Sequence, residues 1–268
     1  MNSMLVSVLT AVAVVAGIGL LIGLILSIAS IVMAVPKNEK AEQVLSVLPG
    51  ANCGACGYSG CSGYAEALSK GEATVGLCSP GGEQCAADIA AVLGVDAGTT
   101  EKKIAVVQCQ GSLDNTDYRA TYQGTQSCLA AQKLGGGLTA CAYGCMGLGD
   151  CERVCPYGAI RVCNGVAMVD NERCKACGLC VKACPRRIIA LVPEKRAAVS
   201  RCMNRDKGAV TRKLCSTGCI GCKKCEKACP VNAVTVSGFC AVVDNEKCIG
   251  CKKCIKECPQ GVISLLVR

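Results

Sequence analysis

The chain opens with one long apolar run, after which apolar residues occur only in short stretches. Residues 1–36 contain no charged side chain, so the run exceeds the ~20 residues that a transmembrane helix needs. A cleaved signal peptide is the alternative, but it requires a basic start and a shorter apolar core. We predict a transmembrane anchor. Lys37 and Lys40 follow it, which predicts that the bulk of the chain lies on the cytoplasmic side of the cell membrane.

Two short segments in the second half of the chain predict β-hairpins. They are residues 159–170, with a turn at Gly165, and residues 233–244, with a turn at Gly238. Earlier in the chain, the stretch "AEALSKG" predicts a short helix that ends at Gly71. These elements predict an α+β fold made of small modules.

The two hairpins belong to a tandem repeat. A shift of 74 residues aligns the chain with itself without a gap from Cys128 and Cys202 onwards, and pairs Cys141 with Cys215. One position breaks the pattern, because Leu148 stands where the second copy has a cysteine. The predicted domains are a transmembrane anchor (1–36), a four-Cys module (37–98), a connecting segment (99–140) and two repeated modules (141–196 and 197–268).

Cysteine usage indicates the chemistry. The chain has 27 Cys and no His, which excludes haem bound by His, Rieske centres and zinc sites that need His. Most cysteines fall in C-x2-C-x2-C-x3-C-P runs, a spacing that is typical of iron–sulfur clusters and that disulfide frameworks do not require. We therefore predict [4Fe-4S] clusters and a reducing compartment.

Each repeated module has the pattern of a two-cluster ferredoxin, in which the fourth cysteine of a run ligates the other cluster. In the first copy one set lacks a ligand at Leu148, and Cys141 is close enough in sequence to replace it. The predicted sets are Cys155, Cys174, Cys177 and Cys180; Cys141, Cys145, Cys151 and Cys184; Cys219, Cys222, Cys225 and Cys258; and Cys229, Cys248, Cys251 and Cys254.

A fifth cluster is predicted in the N-terminal four-Cys module, with Cys53, Cys56, Cys61 and Cys78 as ligands. Zinc remains the alternative there, since four thiolates also satisfy a structural zinc site. Two interpretations remain open for the last set of four cysteines: they bind a sixth cluster, or they are spare buried thiols. These residues are Cys109, Cys128, Cys202 and Cys215. Cys85, Cys163 and Cys240 are predicted to pack in the core.

The charge balance changes once clusters are included. The formal net charge is +9, but an oxidised cubane with four thiolates carries about −2. Five cubanes offset the positive charge, and the sequence lacks the basic and aromatic interleaving typical of nucleic-acid binding. A basic stretch from Arg173 to Lys213 still suggests a docking surface for an acidic electron donor. The candidate residues are Arg186, Arg187, Arg205 and Lys207.

The order of these features resembles the RnfB family, the B subunits of Rnf ion-translocating ferredoxin:NAD oxidoreductases. The resemblance rests on the apolar span, the "CGACGYSGC" module and the tandem ferredoxin modules, and it covers essentially the whole chain. It implies an electron-transfer subunit of a translocase. Such a subunit accepts electrons from soluble ferredoxin and passes them to other membrane and NADH-forming subunits, coupled to Na+ or H+ export. Hydride chemistry takes place on a partner. A polyferredoxin-type carrier of another membrane complex, such as a hydrogenase, is the alternative.

Overall fold

A computed structural model of the protein describes residues 2–32, 38–98, 101–194 and 198–265. The apolar run forms helix α1 (Asn2–Val32), as predicted. Within it, the 26 residues from Val6 to Ile31 are long and apolar enough to cross a membrane by length and composition, with a mean hydropathy of 2.7. Lys37, on which the predicted orientation partly rests, lies outside the described residues.

Three helices form the N-terminal module: α2 (Glu39–Val47), α3 (Cys61–Ser69) and α4 (Gly82–Leu93). They pack around Val44, Tyr64 and Ile89, each no more than 1% exposed. The helix predicted before Gly71 is confirmed, but it begins earlier than the quoted stretch, because the Asn52 side chain accepts a hydrogen bond from Cys61 N at 2.8 Å. This bond satisfies an otherwise unpaired amide at the start of α3.

Residues 101–140, predicted as a connecting segment, supply two elements that pack on the first repeated module. Strand β1 (Lys103–Val107) runs antiparallel to a strand that closes this module, with Ala105 opposite Leu191. Helix α5 (Cys128–Gly135) ends at Gly136, whose φ of 71° suits a glycine C-cap.

The first repeated module contains α6 (Asp150–Arg153), β2 (Ile160–Cys163), β3 (Val166–Val169), α7 (Leu179–Ala183) and β4 (Ile189–Pro193). Strands β2 and β3 form the predicted hairpin, and β4 is the partner of β1. The hydrophobic core of this module contains residues of β1 packed with cysteines such as Cys151 and Cys174, so the thiols are part of the packed interior.

The second module repeats this plan with β5 (Ala198–Ser200), α8 (Gly208–Leu214), α9 (Lys224–Lys227), β6 (Val234–Ser237), β7 (Cys240–Val243), α10 (Lys253–Lys256) and β8 (Ile263–Leu265). The hairpin of β6 and β7 is confirmed, and β5 pairs with β8. Ala198 faces Leu265 as Ala105 faces Leu191. Because of this pairing, β5 is the structural counterpart of β1. The 74-residue shift does not align these two strands.

Candidate metal centres

A cavity of about 300 Å³ in the first module is lined by one complete predicted set: Cys155, Cys174, Cys177 and Cys180. Two of the thiol sulfurs accept hydrogen bonds from backbone amides, Cys174 Sγ from Ala105 N and Cys155 Sγ from Ala159 N, each at 3.3 Å. Strand β1 thus supplies one of the donors. Amides aimed at sulfur stabilise the negative charge of a cluster.

The two sets predicted in the second module are also brought together. Cys219, Cys222, Cys225 and Cys258 line a cavity of about 310 Å³. Around Cys254 the neighbouring thiols are Cys248, Cys229 and Cys251. Backbone amides of Val262 and Ala233 donate to Cys258 Sγ at 3.3 Å and Cys229 Sγ at 3.2 Å.

The set of four cysteines near Leu148 differs from the predicted set in one ligand. A cavity of about 340 Å³ is lined by Cys145, Cys151 and Cys184, and its fourth cysteine is Cys128, not Cys141. Cys128 is the first residue of α5, and this helix packs with Met146 and Leu148 in a small apolar cluster. The thiol that faces the gap left by Leu148 therefore comes from the segment before the module.

Two side chains fix the start of α5, where Cys128 lies. Ser127 accepts a hydrogen bond from Ala130 N at 3.4 Å as the N-cap. Asp150 Oδ2 in turn accepts bonds from the Ser127 hydroxyl at 3.1 Å and Leu129 N at 3.0 Å. Asp150 precedes Cys151, so one residue links the helix carrying Cys128 to the loop carrying the next thiol of the set.

Cys141 lies in a different cavity, of about 380 Å³, at the junction of the two modules. Its thiol partners are Cys109, Cys202 and Cys215. If the connecting segment is counted with the first module, on which it packs, each module contributes two cysteines. Asn204 Nδ2 donates to Cys141 Sγ at 3.5 Å across the junction. Of the leftover set predicted from the sequence, three members lie here and Cys128 does not.

The junction has an approximate internal symmetry. Cys109 Sγ accepts hydrogen bonds from the amides of Gly111 and Cys145, and Cys202 Sγ accepts them from Asn204 and Cys219, all at 3.4 Å. Cys109 is thus the structural counterpart of Cys202, as β1 is of β5. The gapless alignment paired Cys128 with Cys202 because the first copy carries extra residues, including α5, between β1 and Cys141.

In the N-terminal module, the Cys78 thiol has Cys85, Cys61 and Cys53 as electrostatic neighbours, and Tyr64 has both Cys78 and Cys56. Cys85 is buried, as predicted, and lies beside Cys78. Gly81 allows this approach, because a Cβ there would lie 2.6 Å from Cys85 Sγ and 3.3 Å from Cys78 Sγ.

The N-terminal module contacts the first repeated module at a cluster loop. Lys182 Nζ donates to Cys53 O at 3.0 Å. Cys177 and Tyr157 both have the Cys53 thiol among their electrostatic neighbours. The set of Cys53 therefore adjoins the set that contains Cys177.

Burial makes these thiols poor acids in the absence of iron. Desolvation raises the pKa of Cys151 and Cys180 to about 12 each, and that of Cys145 to about 11. A buried thiolate needs a bound cation or strong hydrogen bonds to form at neutral pH. Iron supplies that stabilisation when a cluster binds.

Two of the three cysteines predicted to pack in the core do so. Cys85 and Cys240 are buried, but Cys163 is exposed at the end of β2, so that prediction was wrong. Cys240 donates its thiol proton to Cys202 O at 3.0 Å. Its single proton can instead bond the thiol of Cys202 or Cys219, and this interaction lowers the pKa of both ligand thiols.

Several residues of the predicted basic docking stretch are used inside the fold. Arg186 donates to Ala142 O and Gly136 O, and Lys182 bonds Cys53 as described. Arg201 lines the junction cavity. Arg187, Arg205 and Lys207 are exposed, whereas Lys195 and Arg196 lie outside the described residues.

The donor sets fit clusters better than single ions. Four thiols line each of these four cavities. In the described part of the chain, no three Cys, Asp or Glu side chains form a group that could hold one metal ion. Thiols spread around a hollow suit a cubane, whose irons each take one cysteine sulfur.

Family models match three regions of the chain. A model described as "Putative Fe-S cluster" matches residues 48–80, and one described as "4Fe-4S binding domain" matches residues 141–159. A "4Fe-4S dicluster domain" matches residues 173–233 and 218–262. Together with the thiol sets, these matches define an iron–sulfur electron-transfer protein.

Relatives over most of the chain give the family. The chain is 42% identical to the B subunit of the Na(+)-translocating ferredoxin:NAD(+) oxidoreductase complex of Acetobacterium woodii, over 91% of this chain and 74% of the relative. It is 39% identical to the B subunit of the ion-translocating oxidoreductase complex of Methanosarcina acetivorans, over 92% and 93%. For the proton-translocating counterpart of Clostridium ljungdahlii the identity is 37%, over 85% and 81%. The chain belongs to the RnfB family, as its motifs predicted.

Proposed function

We propose that this chain is the membrane-anchored electron-input subunit of an ion-translocating ferredoxin:NAD oxidoreductase. It accepts electrons from reduced ferredoxin and passes them to the other membrane and NADH-forming subunits. Hydride transfer takes place on a partner subunit, and most of the chain lies on the cytoplasmic side of the membrane. The named relatives include one sodium and one proton translocator, so the ion coupled to this electron transfer is Na+ or H+.

The proposal includes six [4Fe-4S] sites, one more than the five clusters whose ligands the sequence predicts. The two revised sets are Cys128, Cys145, Cys151 and Cys184, and Cys109, Cys141, Cys202 and Cys215. A bound cluster supplies one-electron redox chemistry. The protein holds the thiols in place, surrounds them with apolar side chains and directs backbone amides at their sulfurs.

One observation carries the proposed function: the junction set draws two thiols from each module. Cys145 N bonds Cys109 Sγ, and Cys219 N bonds Cys202 Sγ, so a neighbouring set adjoins the junction on either side. The contact of Lys182 with Cys53 continues the series to the N-terminal module. Six sets then follow one another from the second module to the module that follows the anchor.

The experiment is rapid reduction of the full chain, purified without oxygen in detergent, by reduced ferredoxin, with freeze-quench electron paramagnetic resonance. The double variant Cys109→Ser, Cys202→Ser removes the junction set. Electrons should still enter the second module, while reduction of the sets beyond the junction becomes at least about tenfold slower. Equal reduction of all sets in the variant would contradict a route through the junction.

A second arm separates this proposal from a polyferredoxin carrier of another complex. The native complex is isolated through an affinity tag on this chain and placed in vesicles. Ferredoxin-dependent NAD reduction that builds an ion gradient supports the proposal. Co-purification with a hydrogenase, and no NAD reduction, would support the alternative.

A further inference from the structure

The two repeated modules differ in what covers an equivalent cluster loop. In the first module the loop holds Cys177, which is 7% exposed, and the N-terminal module contacts it through Lys182. In the second module the equivalent thiol is Cys251, and it is exposed. The first copy thus uses this loop to contact another cluster-bearing unit, whereas the second copy leaves the same loop open.

The open loop has the composition of a docking surface. We name it the terminal pole, formed by Ile249, Cys251, Lys252, Lys253 and Lys256. Ile249 is 66% exposed and the three lysines are exposed. An apolar centre within a charged rim is typical of protein interfaces. Lys256 is the counterpart of Lys182, which makes the contact with Cys53 in the first copy.

Two lysines of the second copy, Lys223 and Lys252, have a left-handed backbone where the first copy has Gly149 and Gly178. Lys252 has a φ of 62°, in the left-handed region, and its counterpart Gly178 has a φ of 74°. Glycine adopts this conformation without steric penalty, and lysine does not.

Two nearby carboxylates and a cluster bound at Cys251 offset much of the lysine charge, so an acidic partner is favoured by the position of the lysines beside the exposed thiol and not by a net charge of the module. Asp244 pairs with Lys247 at 3.2 Å, which lies outside the terminal pole. Glu246 and Glu257, both exposed, are the other carboxylates in this part of the chain. Against them stand three lysines, two of which follow the exposed cluster thiol directly.

We propose that the terminal pole docks the electron donor, an acidic iron–sulfur protein, beside Cys251. The proposal rests on the proposed function and adds the entry point. An acidic partner is favoured by the lysines, and an iron–sulfur partner by the counterpart loop, which adjoins the four-Cys module. Complementary charge brings the two proteins together faster, most strongly at low salt.

The test compares two matched charge reversals in the full chain. The terminal-pole variant carries Lys252→Glu, Lys253→Glu and Lys256→Glu. The control carries Arg187→Glu, Arg205→Glu and Lys207→Glu, three exposed residues from the stretch that the sequence suggested. The donor is a reduced acidic two-cluster ferredoxin, and the rate of cluster reduction is measured at several salt concentrations.

The terminal-pole variant should be reduced about tenfold more slowly at low salt, with a flatter salt dependence. The control should stay within about twofold of the wild type, and a small neutral reductant should reduce all three proteins equally. A set with glutamine in place of glutamate, checked for unchanged iron content, separates docking from cluster damage.

Three results overturn the inference. The first is a terminal-pole variant that matches the wild type, and the second is a control that is the slower protein. The third is faster electron uptake by the variant Lys252→Gly than by the wild type. This variant carries the glycine that the first copy has at the equivalent position. If reduced ferredoxin does not reduce the wild-type chain at all, the proposed function is refuted instead.

Discussion

At the scale of single residues, the position of α5 determines which cysteine supplies the ligand that is missing at Leu148. Cys128 and Cys141 are both buried, and both precede the first cluster run. Cys141 is nearer in sequence to Cys145, but the chain directs it to the junction, where Asn204 contacts its sulfur. Sequence distance alone therefore selects the wrong thiol.

The rescue by Leu148→Cys distinguishes the two thiols. Cys128→Ser should lower the iron content by about four per chain or strongly weaken one cluster, and adding Leu148→Cys should restore it, because the second copy has a cysteine at this position. Cys141→Ser should cost the same amount of iron without rescue. Rescue of the Cys141 variant by Leu148→Cys would return Cys141 to the set of the first module.

Cys240 gives a second prediction at this scale. Its thiol bonds the Cys202 carbonyl and contacts two ligand thiols, and the first copy has Val166 at the matching position. Cys240→Val should keep the iron content and make the reduction potential of the adjoining clusters more negative, because hydrogen bonds to cluster sulfur raise the potential. Potentiometric titration followed by paramagnetic resonance measures this. Unchanged potentials would leave Cys240 with a packing role only.

At the scale of elements, local patterns predicted the hairpins well and the long-range partners of the connecting segment poorly. Short β-prone segments on both sides of Gly165 and Gly238 specify two neighbouring strands joined by a turn, so β2–β3 and β6–β7 followed directly from the sequence. Strand β1 pairs with β4 across more than eighty residues. No local pattern encodes such a partner, and without it Cys109 could not be matched to Cys202.

Helix α5 offers a prediction for an element. Asp150 accepts bonds from Ser127 and from Leu129 N at the helix start, and the second copy has Lys224 in its place. Asp150→Ala should destabilise the start of α5 by ~1 kcal/mol. The set with Cys128 should then release iron to a chelator faster than the others. Glu172→Ala, at an exposed position elsewhere in the module, is the control. Equal release from both variants would mean that packing alone holds α5.

At the scale of the whole molecule, the duplication explains both the number and the arrangement of the sites. Two copies of one module share a set at their junction, the N-terminal module contacts the first copy, and the terminal pole of the second copy is open. Cysteine spacing alone is enough to propose four of the six sets. The other two required the fold, because their thiols come from segments that converge only after β1 and β5 have paired.

Iron and sulfide content of the full chain, purified without oxygen, tests the central claim most directly. Six cubanes require about 24 iron and 24 sulfide per chain. The double variant Cys109→Ser, Cys202→Ser should retain about 20 of each, since only the junction set is lost. A wild-type content near 20 that the double variant leaves unchanged would contradict a cluster at the junction, and zinc in place of iron would contradict the electron-transfer account as a whole.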